Sequence, residues 1–203
     1  MQDEAVNPED EKRTLVRRGR YDRGYLPHYD ADAATQFVTF RLAGSLPESV
    51  VAGLRRNLEH GLISEIDYHI EIDKYLDMSE GLTYLSVERI AESIMQTLLK
   101  FAQVKYELHA WVIMPNHVHI LITPAAAYSL AEILHSIKSY TASFANKILG
   151  RKGRFWSPEY FDRFIRDREH FSNAITYIEN NPVKAGLCKE PEHWQWSSAA
   201  KRD

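Results

Sequence analysis

Residues 106–124, YELHAWVIMPNHVHILITP, decide the fold of this 203-residue chain. Both halves of the stretch are rich in β-branched and aromatic residues, which favour extended backbone. Pro115 and Asn116 lie between the halves, and both are typical turn residues. The stretch therefore predicts two neighbouring strands joined by a tight turn.

Two histidines interrupt the apolar second strand. Alternate residues of a strand point to the same face, so His117 and His119 project together while Val118 between them points to the core. Two imidazoles on one rigid strand can share a cation, but two ligands do not complete a metal site. From the strand alone, the alternative of two half-buried histidines satisfied by hydrogen bonds stays equally open.

The residues before the hairpin predict a strand and two helices. TQFVTFRLA, residues 35–43, is typical of a first strand. A helix is predicted from about Pro47, with Ser45 as its N-cap. SVERIAESIMQTLLKFAQ, residues 86–103, has apolar residues at helical spacing. Residues 63–82 between these helices give no clear pattern and are interpreted as a possible insertion.

The residues after the hairpin predict helix, strand and helix. SLAEILHSIKSYTASFANKIL, residues 129–149, has an apolar stripe at helical spacing. The predicted buried positions of that stripe are Ile133, Ile137, Tyr140, Phe144 and Ile148. RFWSPEYFDRFI, residues 154–165, is typical of a strand with a bulge at Pro158. REHFSNAITYIENNP, residues 168–182, predicts a last helix closed by Pro182.

The order of elements indicates an α+β fold. Strands and helices in this sequence predict an antiparallel sheet with helices packed on it, and ferredoxin-like topology is the natural candidate. We expect a partly flexible N-terminal arm over residues 1–34 and one domain over residues 35–203.

Composition favours a cytoplasmic protein. Cys188 is the single cysteine, which excludes an intramolecular disulfide, and the acidic start of the chain has no apolar signal core. No apolar run approaches the roughly 18 residues that a membrane span needs. The net charge of −3 conceals basic segments: residues 11–23 hold six basic and two acidic residues, and residues 138–168 hold eight and three. These segments could bind a polyanion or could be solvated surface.

The last predicted helix offers partners for the histidines. Tyr177 and Asn181 are one turn apart on a face that flanks the core stripe. They could present a phenol nucleophile and an amide oxygen to the histidine strand. The alternative is that Tyr177 is an amphipathic boundary residue and Asn181 a helix C-cap.

These motifs resemble the REP-associated branch of the single-tyrosine HUH transposases. MPNHVHIL resembles the HUH motif and YIENNPVKAGL, residues 177–187, the tyrosine motif; RGYLPHYD, FVTFRL, GRFWSPEYFDRFI and WQWSSA follow the family's order. The resemblance implies a tyrosine-nucleophile transposase, a DNA strand transferase and endonuclease. It further implies cleavage and rejoining of single-stranded or hairpin DNA through a 5′-phosphotyrosine at Tyr177.

The resemblance also implies a metal cofactor, contacts with DNA and an oligomeric state. A divalent ion, Mg²⁺ or Mn²⁺, would be held by His117, His119 and Asn181. The protein would act as a monomer or a homodimer. Candidate phosphate contacts are Arg17, Arg18, Arg20, Lys138, Lys147, Arg151, Lys152 and Arg154.

Two rival functions remain. A DNA-binding module without catalysis would keep the basic surface and lose the chemistry. A zinc-type hydrolase would use His117 and His119 with a third strong ligand such as aspartate or glutamate, and it would not need Tyr177.

Overall fold

A computed structural model of the chain describes residues 19–22, 27–30, 34–78 and 81–200. Two short strands, β1 (Gly19–Asp22) and β2 (Pro27–Asp30), pair antiparallel in a small sheet of their own. The remainder of the predicted arm lies outside the described residues.

The main sheet has four antiparallel strands. They are β3 (Gln36–Leu42), β4 (Tyr106–Ile113), β5 (His117–Pro124) and β6 (Trp156–Phe164), and their order across the sheet is β4-β5-β3-β6. With β3 as the first strand of a βαββαβ unit, this order is that of the ferredoxin-like fold, which confirms the predicted α+β class.

Five α-helices occur within the described residues. They are α1 (Glu48–Glu59), α2 (Glu65–Met78), α3 (Glu88–Ala102), α4 (Leu130–Ile148) and α5 (Arg168–Lys184), with short 3₁₀ turns at Tyr84–Ser86 and Pro191–His193. No helix in this part of the chain is long and apolar enough to cross a bilayer.

The sheet separates two apolar layers. Val118, Ile120 and Ile122 of β5 point into a core shared with α3 and α4. Leu121 points the other way and packs with Ile178 of α5. Because His117 and His119 share the parity of Leu121, the predicted alternation is confirmed, and both histidines lie on the face that α5 covers.

The helix predicted from Pro47 begins within one residue of that position, but its predicted cap is wrong. Pro47 is the N-cap and makes no side-chain cap bond. The Ser45 hydroxyl instead donates to the carbonyl of Leu42 at 2.9 Å. The serine thus serves the turn that leaves β3, three residues before the helix.

The predicted stripe of α4 is wrong at Tyr140, whose side chain is 61% exposed. Thr141 and Ala145 are buried in its place. The reason is angular: from Ile137, position 141 lies 40° away around the helix axis, whereas position 140 lies 60° away on the opposite side.

Pro182 does not close α5, contrary to the prediction. The helix continues to Lys184, and Gly186, with φ of 70°, lies just beyond its end. Proline removes one backbone donor but leaves the following donors intact, so Ala185 still donates to Asn181 O at 2.9 Å.

The unassigned region, residues 63–82, contains α2. Tyr68, Ile72 and Leu76 are spaced by four residues and pack with residues of α1 in a separate apolar cluster. Ile66, Ile70 and Tyr75 are apolar but exposed on other faces of α2, which masks the helical period in the sequence. The Asn116 side chain fixes this helix to the β4–β5 turn by donating to the carbonyl of Leu76 at 2.9 Å.

The substitution Ile120→Ala tests how much the central apolar layer contributes to stability. The Ile120 side chain is fully buried on the second strand of the sheet. Ile120→Ala removes three buried carbons and leaves a cavity, so we expect a loss of about 2–5 kcal/mol in the free energy of unfolding. Urea denaturation measures the loss. Val104→Ala, at a position that is 64% exposed, is the control and should change stability by less than about 0.5 kcal/mol.

Candidate active site

The two histidines of β5 face each other at the centre of the site. Nε2 of His117 lies 3.0 Å from Nε2 of His119, and both side chains are fully buried. The strand alternation places them on one face, and α5 then covers them. Their ring nitrogens are therefore shielded from bulk water and depend on protein partners.

The turn that precedes β5 fixes the tautomer of His117. Its Nδ1 lies 2.6 Å from Oδ1 of Asn116, whose Nδ2 is already donating to Leu76. An amide oxygen only accepts, so Nδ1 of His117 carries the proton. Nε2 of His117 is consequently left with a free lone pair.

The contact with Thr39 allows His119 to adopt either neutral tautomer. The Thr39 hydroxyl lies 2.7 Å from Nδ1 of His119, and a hydroxyl can donate or accept. In one arrangement the Nε2 proton of His119 is donated to His117. In the other, the Nδ1 proton is donated to Thr39, and the two Nε2 lone pairs converge. The second arrangement is the one that a shared cation needs.

Both imidazoles are neutral at physiological pH. Burial, assisted by the nearby Lys184 ammonium, lowers the pKa of His117 to about 3. Burial, then His117 and Lys184, hold the pKa of His119 well below its ordinary value. Neutral imidazole is the form that ligates metal ions, so protons do not compete for these nitrogens near pH 7.

Asn181 of α5 completes the group. Its carboxamide nitrogen lies 3.4 Å from Nε2 of His119, and its Oδ1 is buried without a hydrogen-bond partner among the described residues. Rotating the carboxamide by half a turn exchanges the two atoms and brings the oxygen toward His119. A buried amide oxygen without a partner is costly, and a cation would satisfy it.

The donor set fits a divalent cation. Two neutral imidazoles and the Asn181 carboxamide lie together in the buried interior, and each imidazole has a partner on its other nitrogen. Imidazole suits Mn²⁺ better than Mg²⁺, which prefers oxygen ligands. No group of three or more His, Cys, Asp or Glu side chains suited to a metal occurs within residues 34–78 and 81–200. The zinc-hydrolase alternative therefore gains no third strong ligand from this part of the chain.

Tyr177 packs against the histidines from α5. Its ring is 5.6 Å from that of His119 and 5.8 Å from that of Phe37, in edge-on contacts. Because Tyr177 and Asn181 are one turn apart, the same helix face carries the phenol and the amide. The structure therefore brings together the four residues that the sequence singles out for chemistry.

The Tyr177 hydroxyl has a partner that the sequence does not indicate. It donates to Oδ2 of Asp73 on α2 at 2.9 Å. Burial and the Asp73 carboxylate raise the pKa of Tyr177 above its usual range, and only the Asn181 amide opposes them. Burial raises the pKa of Asp73 to about 7, although its bond with Tyr177 acts in the opposite direction.

Residues 82–181 match the family model described as "Transposase IS200 like". All four site residues lie within that match. Over about half of its length, the chain is similar to IS200-like transposases. Its sheet also includes β3, which precedes the matched residues and pairs with β5 and β6.

Two curated relatives are similar to the same part of the chain. The REP-associated tyrosine transposase of Escherichia coli strain K12 is 28% identical over 95 residues, which are 46% of this chain and 54% of that protein. The chain spans about half the length of the curated relatives it matches. A solved REP-associated tyrosine transposase bound to a REP hairpin has the same fold, with a TM-score of 0.54 and 18% identity over 86% of this chain and 82% of that one.

The sequence reasoning missed two arginines near the histidines, both of which precede the matched residues. Arg41 on β3 lies opposite His117 in the strand register, on the same face of the sheet. Its guanidinium is 3.3 Å from the Ser45 hydroxyl. With Arg55 of α1 it lines a small recess between α2 and the sheet. The alternation of side chains along β3 and along β5 could have predicted that Arg41 lies on the same face of the sheet as His117.

The predicted basic contacts are distributed unevenly. Arg17 and Arg18 lie outside the described residues, and Arg20 lies in β1 opposite Tyr29. Lys138 donates to the carbonyls of Ser157 and Pro158, at 2.7 and 3.1 Å, and burial lowers its pKa to about 8. Lys147 is exposed on α4.

The loop before β6 places three of the basic candidates near the histidine end of the sheet. Trp156 pairs with Leu42, next to the pairing of Arg41 with His117. The loop residues Arg151, Lys152 and Arg154 therefore lie at the end of the sheet where the β4–β5 turn and His117 lie. Arg151 also donates to the Arg154 carbonyl at 3.0 Å, which shapes the loop.

Proposed function

We propose that the protein cleaves and rejoins single-stranded DNA by transferring a phosphodiester to Tyr177 in a divalent-metal-dependent reaction. The observation that supports this most is the convergence of His117, His119, Tyr177 and Asn181 from one strand and one helix. A module that only binds DNA would not need a buried, partly unsatisfied donor set beside a tyrosine.

His117, His119 and Asn181 would hold the cation through two imidazole nitrogens and the amide oxygen. The cation would supply electrostatic stabilisation to the scissile phosphate as its charge grows. Thr39 and Asn116 fix the imidazole rings through their Nδ1 atoms. Phe37 and His119 hold the Tyr177 ring from two sides, which limits the positions its oxygen can take.

Tyr177 stores the phosphodiester as a covalent ester. The phenolic oxygen forms the bond to phosphorus, and the bond from phosphorus to the 3′-oxygen breaks, leaving a 3′-hydroxyl and a 5′-phosphotyrosine. Attack on the phosphotyrosine by another 3′-hydroxyl reverses the step and rejoins a strand. All four site residues come from one chain, so a second copy is not needed to complete the site. A monomer can therefore carry a complete site, and a homodimer stays the alternative.

Hairpin DNA is the proposed substrate class, in line with the hairpin in the solved relative. A hairpin supplies both a duplex, whose phosphates the basic loop at 151–154 can contact, and unpaired flanks that can reach Tyr177. The cytoplasm remains the expected location.

A labelled hairpin oligonucleotide with a single-stranded flank tests the proposal. Incubation with MnCl₂ or MgCl₂ should give a protein–DNA adduct that survives denaturing electrophoresis and disappears with EDTA. Binding without an adduct under any metal condition would favour the DNA-binding module instead. Cleavage without an adduct would favour a hydrolase.

The basic loop gives a separate prediction for binding. In Lys152→Ala/Arg154→Ala, both exposed charges are removed, and we expect hairpin affinity to fall by about tenfold near 0.1 M salt. The slope of log affinity against log salt should decrease by about 2, because two phosphate contacts are lost. Fluorescence anisotropy across a salt series measures both. Lys100→Ala, on the end of α3 far from His117, is the matched control, and an equal loss there would refute a specific role for the loop.

A further inference from the structure

Helix α2 presents a polar row towards the active site. Tyr68, Ile72 and Leu76 occupy the apolar row that packs with α1. The row one residue further along contains His69, Asp73 and Asp77. His69 stacks on Phe161 of β6, with ring centroids 3.3 Å apart, so this row faces the sheet. The row therefore faces β6 and α5 and is not a solvated surface.

Two carboxylates of this row bind α5 at two points. Asp73 accepts from the Tyr177 hydroxyl at 2.9 Å, across 104 residues of sequence. One turn later, Oδ2 of Asp77 lies 2.8 Å from the Lys184 ammonium. The second contact holds α2 and α5 in register, so the first is a fixed geometry and not a chance approach of two side chains.

A purely structural contact at this position would not favour an aspartate. A buried carboxylate loses hydration, and an asparagine of the same shape could accept the same hydrogen bond without a charge. The carboxylate instead lies on the one oxygen atom that the proposed reaction uses. Residues 34–78 and 81–200 place no other carboxylate in hydrogen-bond contact with that oxygen.

We propose that Asp73 is the general base that takes the phenolic proton of Tyr177 during cleavage and returns it during rejoining. This inference rests on the proposed function. As the bond from Tyr177 Oη to phosphorus forms, the phenolic proton moves to Oδ2 of Asp73. The bond from phosphorus to O3′ breaks, its electron pair stays on O3′, and solvent water protonates that oxygen. Asp73 exchanges its proton with solvent, so the net step converts a phenol and a phosphodiester into a phosphotyrosine and a 3′-hydroxyl.

Rejoining requires the protonated form of Asp73. The phenolate leaving from phosphorus takes the proton of neutral Asp73, and the attacking 3′-hydroxyl releases one to solvent. The raised pKa of Asp73, about 7, supplies both forms near neutral pH.

Several charged and titratable groups surround Asp73. From α5, Tyr177 and Lys184 favour its carboxylate form, and from α2, Asp77 opposes it. Two recesses beside Asp73 hold further charged and titratable groups. The first, a cleft of about 350 Å³ that Asp73 shares with Tyr177, contains His69 of α2, Arg163 of β6 and His170 of α5. The second contains Arg41 of β3, Arg55 of α1, Glu159 of β6 and Tyr68 of α2. Burial lowers the pKa of His170, and both histidines of the cleft need their own controls.

Asp73→Asn is the test, measured as the single-turnover rate of adduct formation from about pH 5.5 to about pH 9. Wild type should gain rate as pH rises through about 7, where Asp73 becomes a carboxylate, and then level off. Asp73→Asn should be slower by about 100-fold at pH 8 and should lose that rise. Its hairpin affinity and its stabilisation by MnCl₂ should match wild type, since Asp73 contacts neither the basic loop nor the cation ligands.

Stability gives a readout independent of activity. Because folding raises the pKa of Asp73 from 3.8 to about 7, the folded state holds the proton more tightly, and wild-type stability falls as pH rises between these values. Asp73→Asn removes this loss. Its melting temperature at pH 8 should therefore exceed that of wild type by roughly 2–6 °C.

His69→Gln and His170→Gln are the controls for pH, and both should keep the wild-type pH profile. A wild-type rate and profile in Asp73→Asn would refute the inference and leave the proposed function intact. Lower melting temperature, weaker binding and an unchanged profile would assign Asp73 a structural role, which also refutes it. Absence of any adduct from wild type would refute the proposed function and this inference together.

Discussion

Tyr177→Phe is expected to abolish the covalent protein–DNA adduct, with a loss of at least about 10³-fold in its rate of formation. The variant keeps the ring that packs on Phe37 and His119 and removes only the oxygen. The measurement is denaturing electrophoresis of the labelled hairpin after incubation with MnCl₂.

Tyr140→Phe is the matched control, since that hydroxyl is exposed on α4. It should form the adduct at the wild-type rate. Tyr177→Phe also leaves Asp73 without its hydrogen bond, so its melting temperature and hairpin affinity must be measured alongside. A folded Tyr177→Phe variant that still forms the adduct would assign the nucleophile elsewhere and refute the proposed function.

His119→Ala is expected to abolish the stabilisation of the protein by Mn²⁺. A cation held at 100 times its dissociation constant should raise the stability of wild type by about 2.7 kcal/mol, because it binds the folded state only. Removing one of two imidazoles should eliminate most of that gain and slow adduct formation by at least about 100-fold. Thermal denaturation with and without MnCl₂ measures the stabilisation directly.

Comparing each variant with and without MnCl₂ separates the loss of cation binding from the loss of packing. His119 is fully buried, so its truncation also leaves a cavity and lowers the melting temperature without metal. Only the difference that MnCl₂ makes reports on the cation. His135→Ala, on the exposed side of α4, should retain the wild-type difference. An equal Mn²⁺ effect in wild type and His119→Ala would show that the cation binds at another place.

Much of the site follows from local periodicity. The alternation of β5 correctly places His117 and His119 on one face, and the turn at Pro115 and Asn116 ends β4 where predicted. The helical period correctly places Tyr177 and Asn181 together. These inferences succeed because side-chain direction within one strand or helix depends on the backbone geometry of that element alone.

The errors also have local causes. Ser45 matched the pattern of an N-cap, but α1 has its N-cap two residues later at Pro47. The Ser45 hydroxyl instead accepts from Arg41 and donates to the Leu42 carbonyl. Pro182 is tolerated inside α5, because the helix needs only the backbone donors that follow it. In each case the residue has two permitted environments, and the sequence pattern does not distinguish them.

The sequence by itself determined the strand that carries the two histidines, the helix that carries the tyrosine, and the order of elements in a ferredoxin-like sheet. Only the tertiary structure decided what those residues contact. Thr39 reaches His119 because β3 pairs with β5, and Asp73 reaches Tyr177 because α2 packs beside α5. Such contacts join residues that are 80 and 104 positions apart. They depend on strand register and helix packing, which the burial of apolar surface across the whole chain sets and no local pattern records.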